Sequence, residues 1–266
     1  YRQPAEYYGS PCPDVIYLDY KHTTLEWMGF FSKYFPAKQR KNLNPILAKL
    51  RSIKSAYEMD LMIRAGRIHG EVMGQGVAPL LRTGISEAEL AVQLYLKLVL
   101  AGGQGVARTN RPTGEDAIGL ASFGKSALVR TAFDGPGGTA GTCVAVQSIG
   151  SPFRLLREGR LVYLDIPCGA DGYNTDKTVV YYYGDLDRDP EKDTILRAYN
   201  YCLELEKATA ALLRPGAVFG SVYDTIMAGF DRTYEGCFMN GGQFLGHSIG
   251  LVMDETPVIA HGVKDV

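Results

Sequence analysis

Residues Leu161 to Gly184 constrain the fold more than any other stretch of this chain. Leu161-Val162-Tyr163-Leu164-Asp165-Ile166 reads as a strand, Cys168-Gly169-Ala170-Asp171-Gly172 as a turn, and Tyr173 to Tyr183 as a second strand rich in Thr, Val and Tyr. A hairpin centred between Ala170 and Asp171 sets Asp165 opposite Asp176 on one face, where cross-strand Cβ atoms stand about 5 Å apart. Two carboxylates that close repel and require a proton, a cation or a metal between them. A shared divalent cation is the sharper reading; a different register would leave one aspartate as an exposed strand residue. Cys168 lies three residues from Asp165, so it points to the other face and is not counted as a ligand.

The chain around this hairpin repeats an order of elements. A helical pattern from about Ile53 to Gly74 is followed by Leu80-Leu81-Arg82-Thr83-Gly84, then by a capping box, Ser86 with Glu89, and a helix from Ala88 to Leu100. Residues 104–152, rich in Gly, Thr, Ser and Val, read as strands with turns. In the second half, a helix from about Pro190 to Leu213 leads into Leu212-Leu213-Arg214-Pro215-Gly216, a helix from about Val218 to Tyr234, and Gly-rich strand material. This duplication predicts an α+β fold with pseudo-twofold symmetry, an antiparallel sheet packed by helices. Ahead of it, Val15-Ile16-Tyr17-Leu18 reads as a strand and Leu25 to Phe31 as a helix. The polar stretch with Pro36, Lys38 to Lys41 and Pro45 reads as a linker. The expected organisation is therefore a remnant of a small N-terminal domain plus linker over residues 1–45 and a main domain over 46–266. The chain starts without Met and stops without a closing element, so truncation is expected at both ends.

A net charge of −1 offers nothing to nucleic acid or to an anionic membrane surface, and the apolar runs are too short to span a bilayer. Five scattered cysteines, none in a Cys-x-x-Cys pair, argue against a disulfide framework and a zinc ribbon. Gly135-Pro136-Gly137-Gly138-Thr139-Ala140 is a poor phosphate cradle, because Pro136 lacks an amide donor; a tight turn near a substrate pocket is the better reading. The run Tyr181-Tyr182-Tyr183 reads as a strand alternating between core and surface. Of four histidines, His22 and His69 read as structural residues on helix or loop surfaces. His247 stands out because Gly246 and Gly250 flank it closely.

Gly172-Tyr173-x-x-Asp176-x-Thr178, with Asp165 eleven residues ahead of Asp176, is similar to the paired-aspartate hairpin of the pita-bread-fold metallopeptidases of the prolidase, aminopeptidase P and creatinase branch. Gly246-His247-x-x-Gly250 resembles that family's metal-histidine motif, Asp254-Glu255-x-Pro257 the segment after it, and Arg51-x-x-Lys54-Ser55-x-x-Glu58 the opening of its catalytic domain. The resemblance covers about residues 46–266. It implies two Asp, one His and two Glu ligands, three of them Asp165, Asp176 and His247. The two glutamates, one acting as general base, are expected beyond Val266; Glu255 is too near to be either.

The implied chemistry is hydrolysis by water shared between two divalent ions, manganese first, with cobalt or zinc as alternatives. The implied substrates are short peptides, Xaa-Pro bonds among them, or another small molecule, and a cytoplasmic homodimer goes with them. Three departures weaken the proline specificity. No His lies between His69 and His247, Met253 stands where a second pocket histidine is expected, and Val179 replaces an Arg. They keep open a creatinase-like hydrolase or lyase on the same fold, and a non-catalytic binding module.

Overall fold

The computed structural model describes residues 12–109, 115–116, 119–131, 137–143, 149–238 and 243–265. The chain divides into two compact units, one running to Lys54 and one from Ser55 onward.

In the first unit, β1 (Val15–Leu18) and β2 (Gln39–Asn42) pair in parallel, Val15 opposite Gln39, with α1 (Leu25–Phe31) between them in sequence. The Thr24 hydroxyl caps α1 by accepting from the Trp27 amide, and Trp27, Phe31 and Phe35 stack in series at 4.6 and 4.2 Å. Helix α2 (Asn44–Ser52) follows. The stretch expected as a linker thus carries β2 and the start of α2, and this unit extends past residue 45 to Lys54. Lysines and prolines disguised a strand that, among the described residues, pairs along one edge only.

The second unit opens with α3 (Ala56–Glu71). Here the Ser55 hydroxyl accepts from the Glu58 amide while the Glu58 carboxylate accepts from the Ser55 amide, a reciprocal capping box. After a π-helical turn, Val72–Gly76, comes α4 (Glu87–Leu100). Its cap is one-sided. Ser86 accepts from the Glu89 amide, but the Glu89 side chain turns to Arg82 and Gln93.

Short strands β3 (Ala107–Arg108) and β4 (Glu115–Asp116) pair with each other, and β5 (Leu120–Phe123) joins β6 (Arg160–Ala170) and β7 (Tyr173–Tyr183) in an antiparallel sheet. The long helix α5 (Lys192–Leu212), the shorter-than-expected α6 (Phe219–Ala228) and the ribbon β8 (Phe244–Ser248) with β9 (Glu255–Ala260) complete the unit.

The repeat is visible in the backbone. Gly84 and Gly216, the glycines of the two Leu-Leu-Arg-x-Gly turns, adopt φ of 88° and 87°, and a helix starts three residues after each. Val162, Leu164, Ile166, Cys168 and Ala170 all face a core built with Ala65, Ile68 and Met73 of α3 and Leu90, Leu94 and Leu98 of α4. Strand alternation therefore commits Tyr163, Asp165 and Pro167 to the opposite face. As expected, Tyr181 and Tyr183 pack on the core side while the Tyr182 hydroxyl donates to Asp189.

Candidate metal centre

The hairpin turns one residue later than the sequence reading placed it. Asp171 and Gly172 both have positive φ, 50° and 91°, and form the two-residue loop between the paired Ala170 and Tyr173. Asp-Gly satisfies the type I′ geometry that matches strand twist. Asp165 accordingly pairs with Thr178, and Asp176 with Pro167, rather than with each other. A two-residue slip preserves the parity of the pleat, so both aspartates still share a face, now as diagonal neighbours.

Asp165 accepts hydrogen bonds from the Thr178 hydroxyl at 2.8 Å and the Tyr163 hydroxyl at 3.1 Å. Burial, with the nearby charge of Asp176 second, raises its carboxyl to about pKa 6 despite those donors. Burial also raises the Tyr163 phenol, which stays a donor. Gly137 packs on the Tyr163 ring, where a Cβ would come within 2.7 Å of it. Gly137 of the expected turn therefore lies beside Tyr163, whereas Gly135 and Pro136 lie outside the described residues.

His247, on β8, brings its Nε2 to 3.5 Å from Asp176 and 3.4 Å from Asp254. Its Nδ1 lies 3.1 Å from the Ser248 carbonyl. A carbonyl only accepts, so Nδ1 carries the proton and Nε2 is the atom presented to the carboxylates. The Asp176 interaction, against the opposing effect of burial, raises the imidazole to about pKa 9. One ligand atom from each of Asp176, His247 and Asp254 lies within 4.8 Å of the others. Two carboxylates around a single imidazole, with Asp165 on the same face, form an oxygen-rich donor set suited to a divalent ion.

Of the expected ligands, then, Asp176 and His247 come together directly and Asp165 adjoins them. Asp254, which was not among the expected ligands, joins this group, whereas Met253 does not. Met253 is buried, its amide donating to the Arg108 carbonyl at 2.7 Å, while Asp254 is the neighbour that reaches His247. The Asp-Glu-x-Pro spacing already singled out Asp254; only packing distinguishes it from Met253.

His69 needs correction. It lies buried on α3 rather than on a surface, with Nδ1 2.9 Å from the Thr175 hydroxyl and Nε2 without a hydrogen-bond partner among the described residues. Burial lowers it to about pKa 4, so it is neutral. It sits on the core face of the hairpin, beneath the strand that carries Asp176 on the other face.

The profile of metallopeptidase family M24 matches residues 60–265, and the chain belongs to that family. YkvY of Bacillus subtilis (strain 168), whose name assigns it provisionally to the dipeptidases, is 26% identical over 211 residues, covering 79% of this chain and 49% of that protein. The chain therefore spans about half the length of that curated relative. The prolidase from Pyrococcus furiosus superimposes with a TM-score of 0.73 at 18% identity, over 100% of this chain and 68% of that one. The X-Pro aminopeptidase from Thermotoga maritima MSB8 does so with a TM-score of 0.72 at 18% identity, over 98% and 64%. The fold is the pita-bread fold of these enzymes.

Proposed function

We propose that this chain carries the metal centre of a peptidase cleaving short peptides, Xaa-Pro dipeptides first, with Asp165, Asp176 and His247 as ligands. The single observation that supports it is the convergence of Asp176 and His247 from separate hairpins onto the face that Asp165 shares. Bound divalent ions, two by the family pattern and manganese before cobalt or zinc, would supply Lewis acidity and acidify a water for attack on the amide.

The chain's own residues prepare that chemistry. Thr178 and Tyr163 orient the Asp165 carboxylate. The Ser248 carbonyl fixes the His247 tautomer so that Nε2 faces the centre. The peptidase names of the relatives support a peptide substrate, and a cytoplasmic homodimer accompanies this reading by resemblance.

A second reading is a hydrolase or lyase of a non-peptide small molecule. Asp254 favours it, since a carboxylate accepts hydrogen bonds where an imidazole would donate one to a developing oxyanion.

Elemental analysis of full-length protein beside Asp176→Ala, followed by a screen of Xaa-Pro dipeptides, tests the proposal. About two divalent ions per chain, lost in the variant, with dipeptide hydrolysis, is the expected result. Activity on a non-peptide small molecule with Xaa-Pro dipeptides left uncut would select the second reading, and no metal in either protein would sink the two-metal mechanism and favour a creatinase-like or binding role.

A further inference from the structure

We propose that Asp254 is itself a ligand of this centre, so that the turn before β9 contributes a further carboxylate to the ion held by Asp176 and His247. The inference rests on the metal reading above and extends it to a residue from a different part of the site.

Its first support is distance. His247 Nε2 stands 3.5 Å from an Asp176 oxygen and 3.4 Å from an Asp254 oxygen, and one donor from each residue fits within a 4.8 Å span. Donors held about 2.1 Å from one divalent ion lie about 3 Å apart at right angles and about 4.2 Å apart when opposite. Both distances from His247 fall between these values, and the 4.8 Å limit for all three atoms exceeds the larger by roughly half an ångström, so a side-chain adjustment of that order brings them into one coordination sphere.

The second support is how the backbone aims the side chain. Met253 is buried and tied through its amide to the Arg108 carbonyl. Glu255 is buried under the turn, close enough to Gly250 that a Cβ there would meet its carboxylate at 2.6 Å. With both neighbours anchored inward, the residue between them projects outward, and what it meets is His247.

The third support is chemical economy. Asp176 and Asp254 set carboxylate oxygens close to one imidazole nitrogen, with Asp165 on the same face as Asp176, where carboxylates repel one another. A divalent ion relieves that repulsion, and hard carboxylate oxygens favour manganese or magnesium over softer metals. A further carboxylate on a bound ion would lower its Lewis acidity and tighten its binding.

The test is Mn²⁺ titration of metal-stripped full-length protein by calorimetry, with the visible absorption of the Co²⁺-substituted protein as a coordination fingerprint. Wild type, Asp254→Asn and Asp176→Ala are compared. The Asp254 side chain is 53% exposed, and Asp254→Asn preserves its shape, so circular dichroism should be unchanged. Mn²⁺ affinity falling about tenfold or more in Asp254→Asn, with shifted Co²⁺ bands, supports the proposal. Unchanged affinity and bands in Asp254→Asn, with binding lost in Asp176→Ala, overturn it and leave the metal centre standing. Unchanged binding in both variants overturns the metal reading as well.

Discussion

Asn174 clamps the turn at Gly250. Its backbone amide donates to the Gly250 carbonyl at 2.7 Å, and its side-chain Nδ2 donates to the Gly250 and Leu251 carbonyls at 3.1 and 3.0 Å. Asp176 lies two residues after Asn174, and His247 and Asp254 flank the clamped turn. This fully buried amide thus joins the two hairpins that supply the centre, and Gln104 supports it by donating to its Oδ1 at 3.2 Å.

Asn174→Ala should therefore cost about 2–4 kcal/mol in denaturant unfolding, because two carbonyls lose a buried donor. Mn²⁺ affinity should fall with it. Asn174→Asp should be worse, since a carboxylate would face those carbonyl oxygens. An Asn174→Ala protein with unchanged stability and affinity would show that other contacts hold the hairpins together.

Gly119→Ala should damage the site from outside it. Gly119 has φ of 82°, and an added Cβ would meet the Asp165 carbonyl at 2.3 Å and Pro167 Cδ at 2.6 Å. The strand bearing Asp165 must shift, so a loss of about 3 kcal/mol is expected, with weaker Mn²⁺ binding in titration calorimetry. A variant of wild-type stability would contradict this close approach.

Asp165→Asn should move stability and metal binding in opposite directions. A carboxyl raised from 3.8 to about 6 by burial and by Asp176 is held ionised at pH 8 at a cost to the fold. Removing the charge should stabilise metal-free protein at pH 8 by about 1–2 kcal/mol, after allowing for the weaker acceptor that Tyr163 and Thr178 then meet. Chemical unfolding checks the first effect, and Mn²⁺ titration should show the loss of binding.

His247 links the centre to pH. Its folded-state pKa is raised from 6.5 to about 9, first by Asp176, so its contribution is fully present below 6.5 and is lost as pH rises through 9. Metal-free protein should lose on the order of 2 kcal/mol across that window. A metal needs the neutral ring, so uptake at pH 8 should release about one proton. Calorimetry in two buffers of different ionisation enthalpy reads that proton directly; equal heats would contradict the shift.

Sequence alone determined the local elements and the faces of the hairpin. Val15–Leu18, Leu25–Phe31 and the strand from Tyr173 to Tyr183 lie where their patterns place them. The shared face of Asp165 and Asp176 survived a misplaced turn because a strand's two-residue period tolerates even slips. The two Leu-Leu-Arg-x-Gly turns, read as text, carry matching left-handed glycines.

Tertiary structure decided what depends on segments far apart in the chain. Asp254 rather than Met253 reaches the site because packing buries Met253 and Glu255 on either side of it. His69 is buried because α3 lies under the hairpin, and Asn174 finds Gly250 across 76 residues. Periodicity specifies which way a side chain points along its own element. Which partner it meets depends on long-range packing and on where buried backbone groups find their hydrogen bonds, and no local pattern encodes either.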